Sequence, residues 1–438
     1  MAFVSTTPPA GVLPGFDPEY PARAVVDLTA IRDNVRALRG AAPGAALMAV
    51  VKGDAYGHGL LPTARAALAG GATWLGAAQT GEALRLRHGG VTPADARILT
   101  WLYAPGAPLE DLLVADIDIG VAAPWGLDAA ADAARSSGRP ARVHLKVDTG
   151  LGRNGITPSD LPGVLARAAE LRGLIEVTGV MSHFACADEP GHPSIDAQAK
   201  TFEDTVSAVE RAGFAPEVRH LANSAATLTR PDTAWDLVRT GIAMYGLTPV
   251  PQISVPSSYG LRPAMTLEAR LATVKRVPAG SGVSYGLHYA TSQDTTLGVI
   301  PLGYADGIPR HASGGALGPG GPVLVGGGVG DLASREAGPG AARVVRVAGR
   351  VCMDQIMVDL GPYATERAGD VVTLFGQADG VEHAGAPNAE DWAQAAGTIS
   401  YEIVTRIAAR VPRVYAGTQD VGADGAILGA PAGRGAWS

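Results

Sequence analysis

Two cysteines in 438 residues, Cys186 and Cys352, are too few and too far apart for a disulfide framework or a C-x-x-C metal site, which favours a reducing compartment. Basic residues are scarce as well. Lys and Arg number 35 against 42 Asp and Glu, the formal net charge is -7, and no basic cluster is dense enough to follow a phosphate backbone. Nucleic acid is thereby excluded as the natural partner. No eighteen apolar residues run uninterrupted, so no membrane-spanning helix is expected. The opening MAFVSTTPPAGVLPGFDPEYP has neither the basic start nor the continuous apolar stretch of a secretion signal, and it reads as a flexible leader over residues 1–20 of a cytoplasmic protein. What remains is a chain that is 47% hydrophobic, large enough for two or three domains and suited to a small-molecule partner.

From about Leu28 to Arg239, short apolar runs alternate with Ala-rich amphipathic segments, the pattern of repeated βα units around a parallel sheet. Eight strands are predicted: ALMAVV (46–51), TWLGA (73–77), RILTW (97–101), DIDIGV (116–121), ARVHLKV (141–147), IEVTGVM (175–181), EVRHL (217–221) and WDLVR (235–239). Helical stretches between them, such as AADAARSSG, end in glycine, as helix C-termini favour. Eight such units make a (β/α)8 TIM barrel over residues 21–250.

After about residue 260 the pattern changes to strand-like segments with Pro/Gly turns, such as TLEARLATVKRV, VVRVAGRV and VVTLFG, which define a separate mainly-β domain over 251–417. The stretch SGGALGPGGPVLVGGGVGD, within residues 313–340, reads as a flexible loop with at most one short strand, and residues 418–438 as a flexible tail.

The apolar run AVVKGDAYGHG (49–59) ends in Lys52, at the C-terminal end of the first predicted strand, where barrels of this kind keep their active sites. An isolated lysine there is more often a solvated surface residue. A part-desolvated one is a nucleophile able to form a Schiff base with an aldehyde, and pyridoxal 5'-phosphate (PLP) is the commonest such aldehyde. PLP also needs a phosphate site. ANSAAT (222–227) and RTGIAMYG (239–246), at the ends of the last two strands, offer the Ser224 hydroxyl and the backbone N–H groups of Gly241 and Ile242. Taken singly, these are an ordinary helix cap and an ordinary tight turn.

Together, VVKGDAYGHG, KVDTGLGRNG (146–155), SHF (182–184), ANSAA (222–226), VRTGIAMYG (238–246), GVSYG (282–286), GYADGIPR (303–310), GRVCMDQ (349–355) and SYE (400–402) resemble the alanine racemase family of fold-type III PLP enzymes over about residues 21 to 415. Gly53 and Asp54 stand where the family usually has Ala and Asn. The resemblance implies racemisation of L- and D-alanine by two bases: Lys52, which also carries PLP, and Tyr285, contributed by the partner subunit of a homodimer. It implies D-alanine supply for cell-wall peptidoglycan. By the same resemblance Arg239 faces the pyridine nitrogen, and His183 links the catalytic tyrosine to Arg239. Tyr56, Asn223, Ser224, Gly241, Ile242 and Tyr401 bind or line the cofactor site. Arg153 contacts the cofactor's phenolic oxygen and the substrate, steadied by Lys146, which many relatives carbamylate. Met353 meets the substrate carboxylate, and Tyr304, Arg310 and Asp354 belong to the entrance. No metal is implied.

An arginine opposite the pyridine nitrogen has chemical meaning. A guanidinium only donates hydrogen bonds, so the nitrogen stays unprotonated and the ring is a weaker electron sink than a pyridinium, which leaves a short-lived carbanion little time for transamination. Alternatives are a racemase of broader specificity, a fold-type III PLP decarboxylase, a single-domain PLP-carrier barrel and a cofactor-free Schiff-base aldolase. The carrier lacks everything after about residue 250.

Overall fold

The computed structural model describes residues 16–326, 342–377 and 386–421. Most of the expected leader and tail, and residues 327–340 of the glycine-rich stretch, lie outside the described residues.

The first nine strands are β1 (Ala22–Asp27), β2 (Ala46–Val50), β3 (Trp74–Gln79), β4 (Arg97–Leu102), β5 (Asp118–Val121), β6 (Ala141–Lys146), β7 (Ile175–Met181), β8 (Val218–His220) and β9 (Leu237–Thr240). The last eight form one parallel sheet in the order β8-β7-β6-β5-β4-β3-β2-β9. At the remaining seam the backbone N–H of Asp236 donates to Arg219 at 3.1 Å and that of Arg239 to Ala222 at 3.0 Å, so the barrel nearly closes. The eight strands coincide with the eight predicted runs, because most are buried on both faces and need no alternation, β8 being the half-buried exception. Met48, Trp74, Leu99, Met181 and Leu237 fill the interior as a buried cluster of their own. Outside, helices present one apolar stripe each. Ser194–Arg211, for instance, buries Ile195, Phe202, Val206 and Val209 at helical spacing.

β1 differs from the expectation that residues 21–250 form the barrel. It pairs antiparallel with Met265–Arg270 and parallel with Arg413–Ala416, inside the sheet of the β domain. A barrel of eight strands offers a ninth no free edge. The six-stranded sheet that receives it runs Arg343–Arg346, Pro322–Val325, Val371–Phe375, Met265–Arg270, β1, Arg413–Ala416. The chain therefore ties its second domain together from both sides of the barrel. A three-stranded antiparallel sheet of Thr273–Val277, Thr295–Ile300 and Ile356–Gly361 stands beside it.

The glycine-rich stretch also differs from expectation. Its described part holds three short strands, Gly314–Gly315, Gly318–Pro319 and Pro322–Val325, the last buried throughout. Glycine there serves close packing: a Cβ at Gly321 would fall 2.5 Å from the Trp392 indole.

Gly246, where the chain leaves the barrel, has φ +79°, and a Cβ would lie 1.7 Å from the Arg262 carbonyl oxygen. Left-handed backbone and overlap together make Gly246→Ala destabilising by about 2–4 kcal/mol. Urea unfolding should show a lowered midpoint at unchanged slope; an unmoved midpoint contradicts this packing.

Candidate active site

Lys52 follows β2 and opens a turn of unusual hand. Gly53, Asp54, Ala55 and Tyr56 all have φ between 51° and 64°, a single left-handed helical turn. For three non-glycine residues this conformation costs about 1–2 kcal/mol each, so the surroundings must hold it. Glu82 Oε1 accepts from the Gly53 N–H at 2.7 Å, and Asp54 Oδ1 accepts from the Leu60 N–H at 3.0 Å. His58 Nδ1 lies 3.1 Å from the Ala55 carbonyl and 3.0 Å from that of Tyr56. The β domain closes on the turn: a Cβ at Gly57 would fall 2.4 Å from Val404 O. Burial, and then the charges of Arg153 and Arg239, lower the Lys52 pKa, with Glu82 acting the other way. An ammonium so placed gives up its proton more readily than a surface lysine.

The same turn aims Tyr56 inward. Its ring lies 4.8 Å from that of Tyr245 and 6.3 Å from that of Tyr401, on the helix Ser400–Thr405 of the β domain. Burial raises the pKa of both Tyr56 and Tyr401, so both remain hydroxyl donors. A Cβ at residue 241 would fall 2.4 Å from Tyr56 Oη, which only glycine permits. Ser224 Oγ accepts from the Gly241 N–H at 2.8 Å and lies 3.4 Å from the Ala243 nitrogen. Asn223 Oδ1 caps the following helix through the Ala226 N–H at 3.1 Å. Two hydroxyls and the backbone at Gly241 and Ile242 thus form a cradle at the ends of β8 and β9, with the character of an anion site.

Arg239, on β9, is buried, and acceptors ring its guanidinium. Nη1 donates to the His220 carbonyl at 2.7 Å and lies 3.2 Å from His220 Nδ1. Nη2 donates to Ser182 O at 2.6 Å and Leu221 O at 3.2 Å, and lies 3.3 Å from His183 Nδ1. Nε makes no hydrogen bond among the described residues, which leaves one donor for a ligand. Burial lowers the Arg239 pKa to about 10, still cationic at neutral pH. Burial and then Arg239 push His183 well below the ordinary histidine value, so its imidazole is neutral.

Lys146 ends β6 and donates to the Asn154 carbonyl. Its loop is organised by Asp148, whose carboxylate accepts the N–H groups of Gly150, Leu151, Gly152 and Arg153 at 2.9–3.1 Å. Burial, then Arg239 and Arg153, depress Lys146 to a pKa of about 8.

The remaining sequence candidates stand apart. Tyr285 is 71% exposed on a turn of the β domain, where Ser284 has φ 63°. Ser284 Oγ donates to Arg350 O at 2.8 Å, and the Tyr304 and Ala305 N–H groups donate to Cys352 O and Met353 O at 2.9 and 3.0 Å. Asp354 pairs with Arg410 at 2.7 Å. Arg310 is exposed on the next short turn. Tyr285, Tyr304, Arg310, Met353 and Asp354 thus belong to one solvent-facing part of the β domain. Among the described residues, no hydrogen bond, ion pair or ring contact joins them to Lys52 and its neighbours.

Sequence reasoning missed several residues. Glu82 and Asp148 hold the two loops, and His220, His144 and Asp118 lie behind Arg239. A histidine inside an apolar strand, as in ARVHLKV, was the available signal.

Two outcomes follow. Glu82→Ala strips a cap from the left-handed turn and should lower stability by about 0.5–2 kcal/mol in chemical unfolding; no loss would mean the turn stands unaided. In CO2-free buffer the free Lys146 amine has a folded pKa of about 8 against 10.5 for the ordinary side chain, so the unfolded chain binds more protons between those values. Unfolding free energy should rise with pH through that window relative to Lys146→Met. A constant difference would contradict the depressed pKa.

Comparison with known proteins agrees with this geometry. The family model described as alanine racemase, N-terminal domain, matches residues 26–249, and that of the C-terminal domain matches residues 264–415. The chain is 57% identical over 399 residues to the alanine racemase of Streptomyces coelicolor, covering 90% of this chain and 95% of the relative. It is 56% identical over 404 residues to that of Beutenbergia cavernae, covering 92% and 99%. Among solved structures, alanine racemase from D-cycloserine-producing Streptomyces lavendulae superposes with a TM-score of 0.83 at 54% identity, covering 91% and 97%. That of Bacillus anthracis with bound L-Ala-P superposes with a TM-score of 0.77 at 34% identity, covering 92% and 96%. An eight-stranded barrel joined to a mainly-β domain is thus matched in sequence and in fold, and the chain belongs to the alanine racemase family of isomerases.

Proposed function

We propose that this chain interconverts L- and D-alanine with PLP held on Lys52, by two bases of which the second is the partner subunit's Tyr285, in a cytoplasmic homodimer that supplies D-alanine for peptidoglycan. The observation that carries the reading is the convergence of a desolvated lysine, a cradle of Tyr56, Ser224 and the Gly241 backbone, and a buried arginine with one donor unused. These residues fit PLP: an amine for its aldehyde, hydroxyls and backbone N–H groups for its phosphate, and a donor for its ring nitrogen. Bound PLP supplies an electron sink that acidifies the α-proton of an amino acid joined to it.

The chain's own groups do the rest. Lys52, its pKa lowered, takes or returns a proton at Cα from one side. Inversion needs a different group on the other side, because a proton returned to the face it left restores the starting enantiomer. Exposure of Tyr285, away from Lys52 of its own chain, supports its delivery to a second subunit's site. Met353, in the same surface, would meet the substrate carboxylate through its backbone N–H, while Tyr304, Arg310 and Asp354 would form a narrow mouth suited to alanine's small side chain. Tyr401 closes the cofactor site from the β domain, and Asn223 steadies the phosphate cradle. Arg153 would meet the cofactor's phenolic oxygen. Lys146 is proposed as the carbamylated lysine: a pKa near 8 leaves a neutral fraction able to add CO2 with loss of one proton, giving an anion to face Arg153.

The test is incubation of the purified protein, with and without PLP, with each alanine enantiomer in deuterated water. Loss of optical rotation together with the α-proton signal, dependent on PLP, is expected. Lys52→Ala should lose both turnover and the absorption of lysine-bound PLP at roughly 420 nm. Release of CO2, or turnover surviving without Lys52, would overturn the reading.

A further inference from the structure

Arg239 is the top of a line of polar groups that descends through the barrel. Arg239 Nη1 lies 3.2 Å from His220 Nδ1, His220 Nε2 lies 2.8 Å from His144 Nδ1, and His144 Nε2 lies 3.2 Å from Asp118 Oδ2. His220, His144 and Asp118 have no exposed surface. Donor and acceptor counting fixes every proton along this line. A guanidinium only donates, so His220 Nδ1 must accept. Its ring proton then sits on Nε2 and goes to His144 Nδ1, and the His144 proton sits on Nε2 and goes to Asp118. A second proton on either ring would oppose two N–H groups, so both imidazoles are neutral and share one tautomer. Asp118 is held as an anion by Arg97 and by Arg142 Nε at 2.6 Å.

The backbone is shaped around this line. A Cβ at Gly179 would fall 2.4 Å from His144 Nδ1, and the β6–β7 register shifts between Val143 and His144. The Trp74 ring meets His144 edge-on at 5.5 Å.

We propose that Asp118, His144 and His220 are positioning residues for Arg239, a one-way proton-ordered relay that keeps the guanidinium aimed and cationic toward the cofactor's ring nitrogen. This rests on the reading that PLP binds beside Arg239. Loosening the relay would let a bound cofactor's ring nitrogen gain a proton and would strengthen the electron sink it supplies. More alanine would then be diverted to transamination, in which Lys52 is freed as its amine, the amino group of alanine passes to the cofactor to give pyridoxamine phosphate, and water supplies the keto oxygen of the pyruvate that leaves. Alanine is oxidised and the cofactor reduced by the same electron pair.

His144→Phe keeps an aromatic ring but removes both nitrogens, whereas His144→Gln keeps one acceptor and one donor. In the holoenzyme, the Phe variant should lose about 10–100-fold in kcat with KM for alanine changed by no more than about threefold. Pyridoxamine phosphate formed per racemisation should rise about tenfold, in step with the lost control of the ring nitrogen. The Gln variant should recover most of both. Independently, long-range 1H–15N spectra of 15N-histidine-labelled apo protein should show His144 and His220 neutral with the proton on Nε2. A proton on Nδ1 of either ring, equal behaviour of the Phe and Gln variants, or an unchanged product ratio in folded His144→Phe would overturn the relay. Failure of the wild-type chain to bind PLP would overturn the cofactor reading instead, and is distinguishable because the spectra need no cofactor.

Discussion

The top of the barrel depends on an asymmetry of partners: the Arg239 guanidinium is surrounded by acceptors, while Lys52, close by, has cations for most of its charged neighbours. The first condition keeps a positive charge fixed where water is excluded. The second makes a neighbouring positive charge unfavourable, so the lysine is the group that yields its proton. His183 and Lys146 feel the same cations and shift in the same direction. Burial first, and then the cluster of cations, set the protonation of these groups, while Arg239 itself is held by the carbonyls of Ser182, His220 and Leu221.

Holding those groups in register requires both domains. The left-handed turn after Lys52 is strained and is clamped by Glu82 from the barrel and by the Val404–Thr405 backbone from the β domain. The β domain is in turn anchored at both chain ends, through β1 and Arg413–Ala416. The same domain carries Tyr285, Met353 and Asp354 exposed to solvent.

Much of this was legible in the sequence. Most doubly buried strands declare themselves as apolar runs, which is why the eight barrel strands could be read from 46 to 239 to within two residues at each end. ARAVVD could not be assigned, because a strand's partner is decided by which sheet has a free edge. PVLV was hidden among glycines that look flexible in sequence but pack closely in the fold, Gly321 against Trp392 and Gly314 and Gly320 against the Val347 carbonyl. The motifs around Lys52, Arg239 and Ser224 were visible from resemblance. The left-handed hand of the turn and the line through His220, His144 and Asp118 were not, since they depend on strand register and on which way each residue faces.

The proposed sharing of a site between two subunits is tested most directly by mixing them. Lys52→Ala and Tyr285→Phe homodimers should each be nearly inactive. A heterodimer of the two holds one site with both wild-type residues if the tyrosine crosses between subunits, and none if it serves its own chain. The purified heterodimer is expected to regain about half of the wild-type racemase activity. A heterodimer as inactive as its parents would contradict the account.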